Sequence, residues 1–112
     1  MIHSFYFSGK KFKVETKKMG FFGKFIGLMF KSSSTKNLLF EFDRNVGLPI
    51  HSFFVFFPFL AIWVDGKDKV IDFKFVRPFC FSVKPKKDFR KLIELPINEK
   101  NEKIISIFSK NI

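Results

Sequence analysis

An uncharged stretch of 20 residues, 45–64, constrains the fold of this chain more than any other feature. A helix needs about 20 apolar residues to cross a bilayer. Pro49 and Pro58 interrupt the stretch, and proline both removes a backbone donor and clashes with the preceding helical turn. The apolar part, from Phe53 to Val64, is rich in aromatic and β-branched residues, which favour strands. We therefore predict two buried strands on either side of a bend at Pro58, and no membrane span.

The length and the phenylalanine content indicate one domain that folds alone. Domains most often have about 100–150 residues, and this chain has 112, of which 20 are Phe. Each Phe side chain buries a large apolar area, so a sizeable core is available even at this length. We expect a single domain over residues 1–112.

The formal charge of +11 leaves two interpretations open. A strongly basic surface is typical of proteins that bind nucleic acid or anionic membranes. A coding bias towards AT-rich codons would also enrich Lys, Phe, Ile and Asn, without selection for a partner. The basic residues are 18 Lys and only three Arg, although Arg is the better reader of phosphates and bases. The composition therefore favours nucleic-acid binding only weakly.

The cysteine count and the N-terminus are both typical of a protein in a reducing compartment. Cys80 is the single cysteine, so it forms no intramolecular disulfide, and its apolar neighbours predict a small buried side chain rather than a nucleophile. A secretory signal has an apolar segment behind a basic start, and the first residues of this chain include no such segment. We expect no disulfide, no signal peptide and a cytoplasmic protein.

Alternating apolar and polar residues predict a sheet in the N-terminal half, together with one helix. Ile2–Phe7 and Phe12–Glu15 flank Ser8-Gly9-Lys10, which predicts a hairpin. Over residues 18–30 the apolar residues recur every three or four positions, which predicts an amphipathic helix. The next segments are predicted to be a polar loop, a strand and a turn: residues 31–36, 38–42 and 43–47.

Strands are also predicted through the rest of the chain. Asp65-Gly66 is a hairpin signal in front of an alternating segment that ends at Val76. The predicted strands of this half are residues 52–57, 59–64, 69–76, 92–95 and 103–109, with a turn at 98–101. The predicted fold class is mainly β: a compact antiparallel β-sandwich or barrel-like domain with one short α-helix in the N-terminal half, about residues 18–30.

Motifs for catalysis and metal binding are absent from the sequence. The two histidines are far apart, there is one cysteine, and neither HExxH nor a CxxC pair occurs. There is no phosphate-binding loop with GK[ST] and no G-x-S-x-G elbow. We expect neither a metal site nor a cofactor, and the sequence leans away from an enzyme.

Two small sets of polar residues are candidate sites. His51 precedes an apolar strand and would lie at the mouth of a pocket, although a hydrogen-bonded histidine at a sheet edge is the alternative. We expect Trp63 and Phe54 to be core residues rather than stacking platforms. The candidate pocket rim comprises His51, Asp72 and Arg77. The candidate basic surface comprises Lys84, Lys86, Lys87, Arg90 and Lys91.

Two functions from different classes remain open. The first is a non-catalytic β-domain that binds a small ligand or a protein partner through a cleft near the predicted rim. The second is a basic β-domain that associates weakly and non-specifically with nucleic acid. Peripheral membrane attachment through the predicted helix, with its Phe face and flanking Lys residues, is a third.

A family resemblance covers about residues 12–97. The residues that carry it are, in order, Gly27-Leu28-Met29-Phe30, Leu38-Leu39-Phe40-Glu41-Phe42, His51-Ser52-Phe53-Phe54-Val55-Phe56-Phe57-Pro58, Ile62-Trp63-Val64-Asp65, Lys69-Val70-Ile71-Asp72, Pro78-Phe79 and Leu92-Ile93-Glu94-Leu95-Pro96. Their order and spacing resemble an uncharacterised family of small β-domains, domain of unknown function number 192, also called uncharacterised protein family 0127. The chain is most similar to the archaeal branch. The resemblance implies a compact β-sandwich or barrel-like domain and assigns no activity.

The chain departs from the family pattern at two places. Members commonly have Pro-Leu-Asp-Ile or Pro-Ile-Asp-Val where this chain has Pro58-Phe59-Leu60-Ala61-Ile62, so Leu60 replaces the acidic residue. The Trp-Met-Lys-Asn-Thr run of bacterial members is replaced by Phe54–Phe57. Any polar site that those residues build in other members is therefore missing from this chain.

Overall fold

Seven strands and one α-helix form the described part of the chain in a computed structural model. That part comprises residues 1–19, 35–50, 55–80 and 82–111. The strands are β1 (Ile2–Phe7), β2 (Lys10–Glu15), β3 (Lys17–Lys18), β4 (Leu38–Val46), β5 (Phe59–Val64), β6 (Val70–Val76) and β7 (Phe89–Pro96). A 3-10 turn (Glu99–Asn101) leads directly into helix α1 (Glu102–Ser109).

The strands form a hairpin and a larger open sheet. β1 and β2 pair antiparallel across Ser8 and Gly9, whose φ angles of 52° and 77° are those that a two-residue hairpin turn requires. The other five strands lie in the order β3-β4-β7-β5-β6, with β3 and β6 at the edges. All neighbours in this sheet are antiparallel except β3 and β4, which are parallel.

Both faces of the five-stranded sheet are apolar. Along β5, Phe59, Ala61 and Trp63 belong to one core cluster, whereas Leu60, Ile62 and Val64 belong to the other. Successive side chains of a strand point to opposite faces, so the two clusters lie on opposite sides of the sheet. We call them the Trp63 face and the Ile62 face. A strand covered on both sides must be apolar at nearly every position, and all six residues of β5 are buried.

The β1–β2 hairpin and helix α1 cover the Ile62 face. Phe5 of β1, Val14 of β2 and Phe108 of α1 are buried in this cluster. The Phe108 ring stacks on Phe7, with 4.4 Å between centroids. It also meets Phe73 of β6 edge to face at 4.9 Å. Helix α1 is therefore attached to both sheets by one aromatic side chain.

Irregular segments cover the Trp63 face. Val55 and Phe57 are buried in this cluster, and Ile50, Cys80 and Val83 pack against it. The backbones of Ile50 and Val83 hydrogen-bond to each other in both directions, at 2.9 and 2.7 Å. This bridge joins the segment before β5 to the segment before β7.

The mainly β fold class and most of the predicted strands are confirmed. The hairpin, β5, β6 and β7 lie where alternation and turn signals predict them. Trp63 is a fully buried core residue, as expected. Cys80 is partly buried and packs against the Trp63 face. No helix in the described ranges is long and apolar enough to cross a membrane.

Three local predictions are wrong. Residues 103–109 belong to helix α1 and not to a strand, and the turn predicted before them takes a 3-10 form. The expected turn at 43–47 is largely strand, because β4 continues to Val46 past a register shift. Residues 55–57 form no strand, and the rest of predicted strand 52–57 lies outside the described residues.

One architectural expectation also changes, and another lies largely outside the described residues. One strand pair is parallel, and the larger sheet has two edges rather than closing into a barrel. The predicted helix at 18–30 lies outside the described residues beyond Met19. Before that point Lys17–Lys18 form β3, and the Met19 amide donates to the Leu39 carbonyl at 2.9 Å.

Candidate functional site

The predicted pocket rim is only partly described. His51 lies outside the described residues. Asp72 of β6 accepts hydrogen bonds from the backbone amides of Phe73 at 2.8 Å and Lys86 at 3.0 Å. Arg77 follows β6 and is exposed. Asp72 thus anchors the loop before β7, which is a structural role.

The five residues of the predicted basic surface have different environments. Lys84, Lys86 and Lys87 lie in one loop, and all three are exposed. Arg90 instead donates to the carbonyls of Phe42 at 3.1 Å and Asp43 at 2.9 Å, where it stabilises the irregular end of β4. The Lys91 ammonium is 2.7 Å from an Asp68 carboxylate oxygen. Arg90 and Lys91 are therefore used by the fold, and the three loop lysines are the accessible part of the set.

A lysine-lined cleft is a concave site in the described part of the chain. It has a volume of about 700 Å³. One wall is formed by β2 and β3, the other by the 3-10 turn and the start of α1, and residues 35–37 lie between them. Six lysines line it: Lys13, Lys17, Lys18, Lys36, Lys100 and Lys103. We call this site the lysine cleft.

Asparagine side chains hold the walls of the cleft together. Asn101 is buried, and its amide donates to the Asn37 side-chain oxygen at 2.8 Å and to the Pro96 carbonyl at 2.7 Å. Asn37 in turn donates to the Glu15 carbonyl at 2.9 Å. The backbone amide of Asn101 donates to the side-chain oxygen of Asn98 at 3.1 Å. These bonds fix the start of β4, the end of β2 and the entry to α1 relative to one another.

The electrostatic character of the cleft is strongly positive. Glu15 is the one acidic residue in its described lining, and its carboxylate lies 2.6 Å from the Met1 amino nitrogen. Lys18 is 3.7 Å from Glu41. Within the described ranges the other five lysines form no ion pair. Clustered ammonium groups with few counter-charges attract anions, most strongly where low-dielectric walls focus the field.

The described lining offers cations and hydrogen-bond donors rather than catalytic groups. It contains neither His nor Cys, and it contains no aromatic residue or Arg. In the described part of the chain no cluster of three His, Cys, Asp or Glu residues could hold a metal ion. The cleft can bind an anion and orient it, and the geometry assigns no proton transfer or nucleophilic attack to it.

No local sequence pattern identifies this cleft. Lys13 lies in β2 and Lys17 and Lys18 form β3, all with exposed side chains. Lys100 lies in a predicted turn and Lys103 follows it. Each of these two groups of lysines, taken alone, resembles an ordinary solvent-exposed surface. Only the packing of α1 against the hairpin brings the two sets to one cleft.

A second cluster of charges ties the hairpin to the larger sheet. His3 Nε2 and Lys91 Nζ are 3.1 and 2.7 Å from the same Asp68 oxygen. The Asp68 carbonyl also accepts from the Tyr6 amide at 2.7 Å. The group is partly buried and its polar atoms are paired, which is typical of a structural anchor.

Two buried polar groups lie on the Trp63 face. Glu94 of β7 is 6% exposed and lies opposite Leu38 and Ala61 in the neighbouring strands. Burial raises the pKa of its carboxyl to about 8, because an apolar environment disfavours the charged form. The Trp63 indole nitrogen is also buried and has no hydrogen-bond partner among the described residues. Sequence patterns identify neither group as unusual.

Two solved structures are similar to this one. The first is a protein from Sinorhizobium meliloti 1021 named as a candidate transcription regulator, with a TM-score of 0.75 and 11% identity over 92% of this chain and 83% of that chain. The second is a protein of unknown function from Novosphingobium aromaticivorans DSM 12444, with a TM-score of 0.74 and 12% identity over 92% of this chain and 76% of that chain. No protein-family model and no curated protein matches the sequence. At this level of identity the likeness establishes the fold alone.

Proposed function

We propose that this protein is a binding module that takes a small polyanionic ligand, such as a phosphate-bearing metabolite, in the lysine cleft. The observation that supports the proposal is the convergence of six lysines on one cleft of about 700 Å³. Small-molecule sites typically have volumes of about 300–1,000 Å³. Lysine binds phosphate as a point charge, so the lining favours charge recognition over recognition of a planar shape.

The residue types in the described lining narrow the ligand class. Stacking on a nucleobase needs an aromatic face, and the described lining contains none. The side-chain amides of Asn37 and Asn101 already donate to groups of the protein itself. A ligand whose affinity depends on several negative charges close together fits better. Inorganic tripolyphosphate is the simplest probe of that chemistry.

The test is a calorimetric titration of the protein with tripolyphosphate at low ionic strength. We expect 1:1 binding that weakens with added NaCl, since salt screens exposed charges. Replacing Lys13, Lys100 and Lys103 together by Gln removes three cleft charges and should lower the affinity at least about tenfold. The triple variant Lys84→Gln, Lys86→Gln, Lys87→Gln changes the net charge equally and serves as the matched control.

Two results would reject the cleft as the site. One is equal weakening in both triple variants, which would indicate a general effect of net charge. The other is the absence of saturable binding at any salt concentration. Protein NMR chemical shifts give an independent check, because amides of residues 13–18 and 98–104 should shift first.

A second candidate function is association with nucleic acid. It is supported by the formal charge of +11 and by the structural similarity to a protein named as a candidate transcription regulator. Binding through phosphates should weaken steeply with salt, with a log–log slope set by the number of phosphates contacted. No binding to single- or double-stranded DNA or RNA at low salt would remove this candidate.

We also propose that the chain is a divergent, archaeal-type member of the family it resembles. The pieces that carry the resemblance include much of the five-stranded sheet, namely the first half of β4, the second half of β5, the start of β6 and the second half of β7. An experimental structure of an undisputed member should show the strand order β3-β4-β7-β5-β6. A different order would reject the assignment. A cytoplasmic location likewise stays a prediction, which cell fractionation tests.

A further inference from the structure

Three large apolar side chains are exposed in the segments that flank the Ile50–Val83 bridge. Phe56 is 60% exposed, Phe79 50% and Leu48 52%. Phe56 and Phe79 lie against each other, with 5.6 Å between ring centroids. In a domain whose other described Phe residues mostly supply the core, an exposed pair of touching rings is unusual.

The backbone of Phe79 adopts a strained conformation, which contacts with the rest of the protein must stabilise. Its φ angle is 63°, a left-handed conformation that is a genuine outlier for a bulky residue. Such outliers cost free energy and cluster at functional sites. A glycine would be more stable in this conformation, so the ring at this position has no local structural advantage.

Basic side chains follow Phe79 along the chain. Between Arg77 and Asp88 the chain carries four basic residues and one acidic one, counting both ends. Lys84, Lys86 and Lys87 are accessible, and within the described ranges they form no ion pair. Their loop is held in place, because the Lys86 amide donates to Asp72 at 3.0 Å and the Lys74 ammonium donates to the Lys84 carbonyl. We call these three lysines and the two rings the aromatic–basic patch.

We propose that the aromatic–basic patch binds single-stranded nucleic acid, with bases stacked on Phe56 and Phe79 and phosphates near the loop lysines. Exposed aromatic rings beside a positively charged surface are the elements by which proteins bind single strands without sequence preference. The two ring planes are 74° apart, so bases stacked on both would be splayed. Bases in a duplex stay parallel, and the geometry therefore favours a single strand.

This inference rests on the second candidate function, nucleic-acid association, and not on the lysine cleft. The patch and the lysine cleft share no residue. Either site can therefore fail its test without affecting the other.

The experiment measures the fluorescence anisotropy of a labelled oligothymidylate of about 12 nucleotides, a length that spans one small domain. A duplex of equal length is measured in parallel, over a range of NaCl concentrations. We expect tighter binding of the single strand. Phe56→Ala and Phe79→Gly should each weaken it about tenfold while leaving the salt slope unchanged, because they remove stacking and no charge. Phe79→Gly should fold at least as stably as the parent protein.

Three further sets of variants identify the interaction. Replacing Lys84, Lys86 and Lys87 by Gln should reduce the slope by about 0.7 for each phosphate that the variant no longer neutralises, and the matched Lys13, Lys100, Lys103 triple variant should reduce it less. Tyr6→Ala, which removes an exposed aromatic ring on the hairpin, should have no effect. Phe56→Leu and Phe79→Leu keep the apolar surface without an aromatic face, and they should bind as weakly as the Ala and Gly variants.

Each failure has a different meaning. If no oligonucleotide binds at low salt, both nucleic-acid association and this patch are rejected. If DNA binds and the Phe variants bind equally well, association stands and the patch is rejected. If the Leu variants behave like the parent protein and the protein instead binds vesicles containing phosphatidylserine, the patch is a membrane-contacting surface and the proposal is overturned.

Discussion

Glu94 lies in the central strand of the five-stranded sheet with its carboxyl in an apolar environment. Its strand neighbours across the sheet are Leu38 and Ala61, and no hydrogen bond to its carboxyl occurs among the described residues. A pKa of about 8 means that the carboxyl carries its proton at neutral pH. The core therefore contains a neutral acid, and ionisation of this acid opposes folding.

The stability of the protein should fall as the pH rises above the ordinary carboxyl pKa of 4.5. Because the raised pKa belongs to the folded state, the stabilising effect of the proton is complete below 4.5 and is lost as the pH rises through about 8. The slope from this group should approach about 1.4 kcal/mol per pH unit between those values. Urea unfolding at several pH values measures it.

The matched variant for this prediction is Glu94→Gln, which keeps the shape of the side chain and cannot ionise. Its stability should vary much less between pH 5 and 8 than that of the parent protein. Asp43→Asn, at an exposed carboxyl, should leave the slope unchanged. A parent protein that is equally stable at both ends of this range would contradict the raised pKa.

Asp68 should contribute more to stability than any exposed carboxylate. It joins His3 of β1 to Lys91 of β7 through one oxygen, and it adopts a φ of 62°. Asp68→Asn keeps a residue that tolerates this conformation but removes the charge. We expect a loss of about 1–3 kcal/mol in the free energy of unfolding, measured by urea denaturation. Asp43→Asn should cost less than about 0.5 kcal/mol, and equal effects would reject the anchor.

Among the elements, helix α1 depends on a single aromatic side chain. Phe108 is fully buried and contacts rings of both sheets. Phe108→Ala should destabilise the protein by about 3–5 kcal/mol, with loss of near-ultraviolet circular dichroism at moderate urea concentrations. Ile107→Ala, at an exposed neighbour on the same helix, is the control and should cost less than about 1 kcal/mol. If the two substitutions cost the same, α1 is not held by Phe108.

The helix also shows why local patterns predict the wrong element type for this segment. Ile104, Ile105 and Ile107 are β-branched and favour a strand locally. In the structure Ile104, Ile105 and Phe108 lie on one side and pack on the Ile62 face. That spacing is helical. The element has only eight residues, so the helical pattern is brief and the strand propensity of the isoleucines competes with it. Packing against the hairpin decided the outcome, since short helices are stabilised mainly by tertiary contacts.

The strands of the sheet are easier to predict because burial follows a regular pattern along each of them, either continuous or alternating. β5 has six buried residues in succession, and a central strand is the simplest solution for such a run. β6 alternates and follows a turn signal at Asp65-Gly66. The predicted β4 is too short, because Arg90 satisfies the carbonyls of Phe42 and Asp43 from a distant strand. No local pattern contains that interaction.

For the whole molecule, the main question is how a formal charge of +11 is distributed. Some basic residues are internal anchors, such as Arg90 and Lys91, and others gather in the lysine cleft and in the aromatic–basic patch. The exposed groups repel one another in the folded state. Weak association with anions follows from this distribution even without a specific partner.

Added NaCl should therefore stabilise the folded protein. Raising its concentration from about 10 to about 200 mM shortens the screening length from about 30 Å to below 10 Å, which reduces repulsion among the lysines. We expect the thermal midpoint to rise by a few degrees, measured by circular dichroism at fixed pH. The Lys84, Lys86, Lys87 to Gln variant, with a formal charge of +8 rather than +11, should gain less. A falling midpoint would mean that favourable ion pairs outweigh the repulsion.

The candidate sites are accessible to sequence-based prediction only in part. Lys84, Lys86 and Lys87 stand out as a cluster beside Pro85, and their side chains are accessible in the structure. The lysine cleft is not predictable in this way, because its lysines lie about 80 residues apart in the chain and each group alone resembles a solvated face. The exposed Phe56 also departs from expectation, since the surrounding run of aromatic residues predicts burial.

The pattern of residues alone establishes a mainly β fold with a phenylalanine-rich core, a short N-terminal hairpin and a central apolar strand. Those properties follow from patterns within a few residues, which alternation and turn chemistry control. Three further properties appear only in the folded molecule: β7 lies between β4 and β5, residues 102–109 are helical, and distant lysines share a cleft. These outcomes depend on which apolar faces cover one another, and that choice is made between segments far apart in the chain.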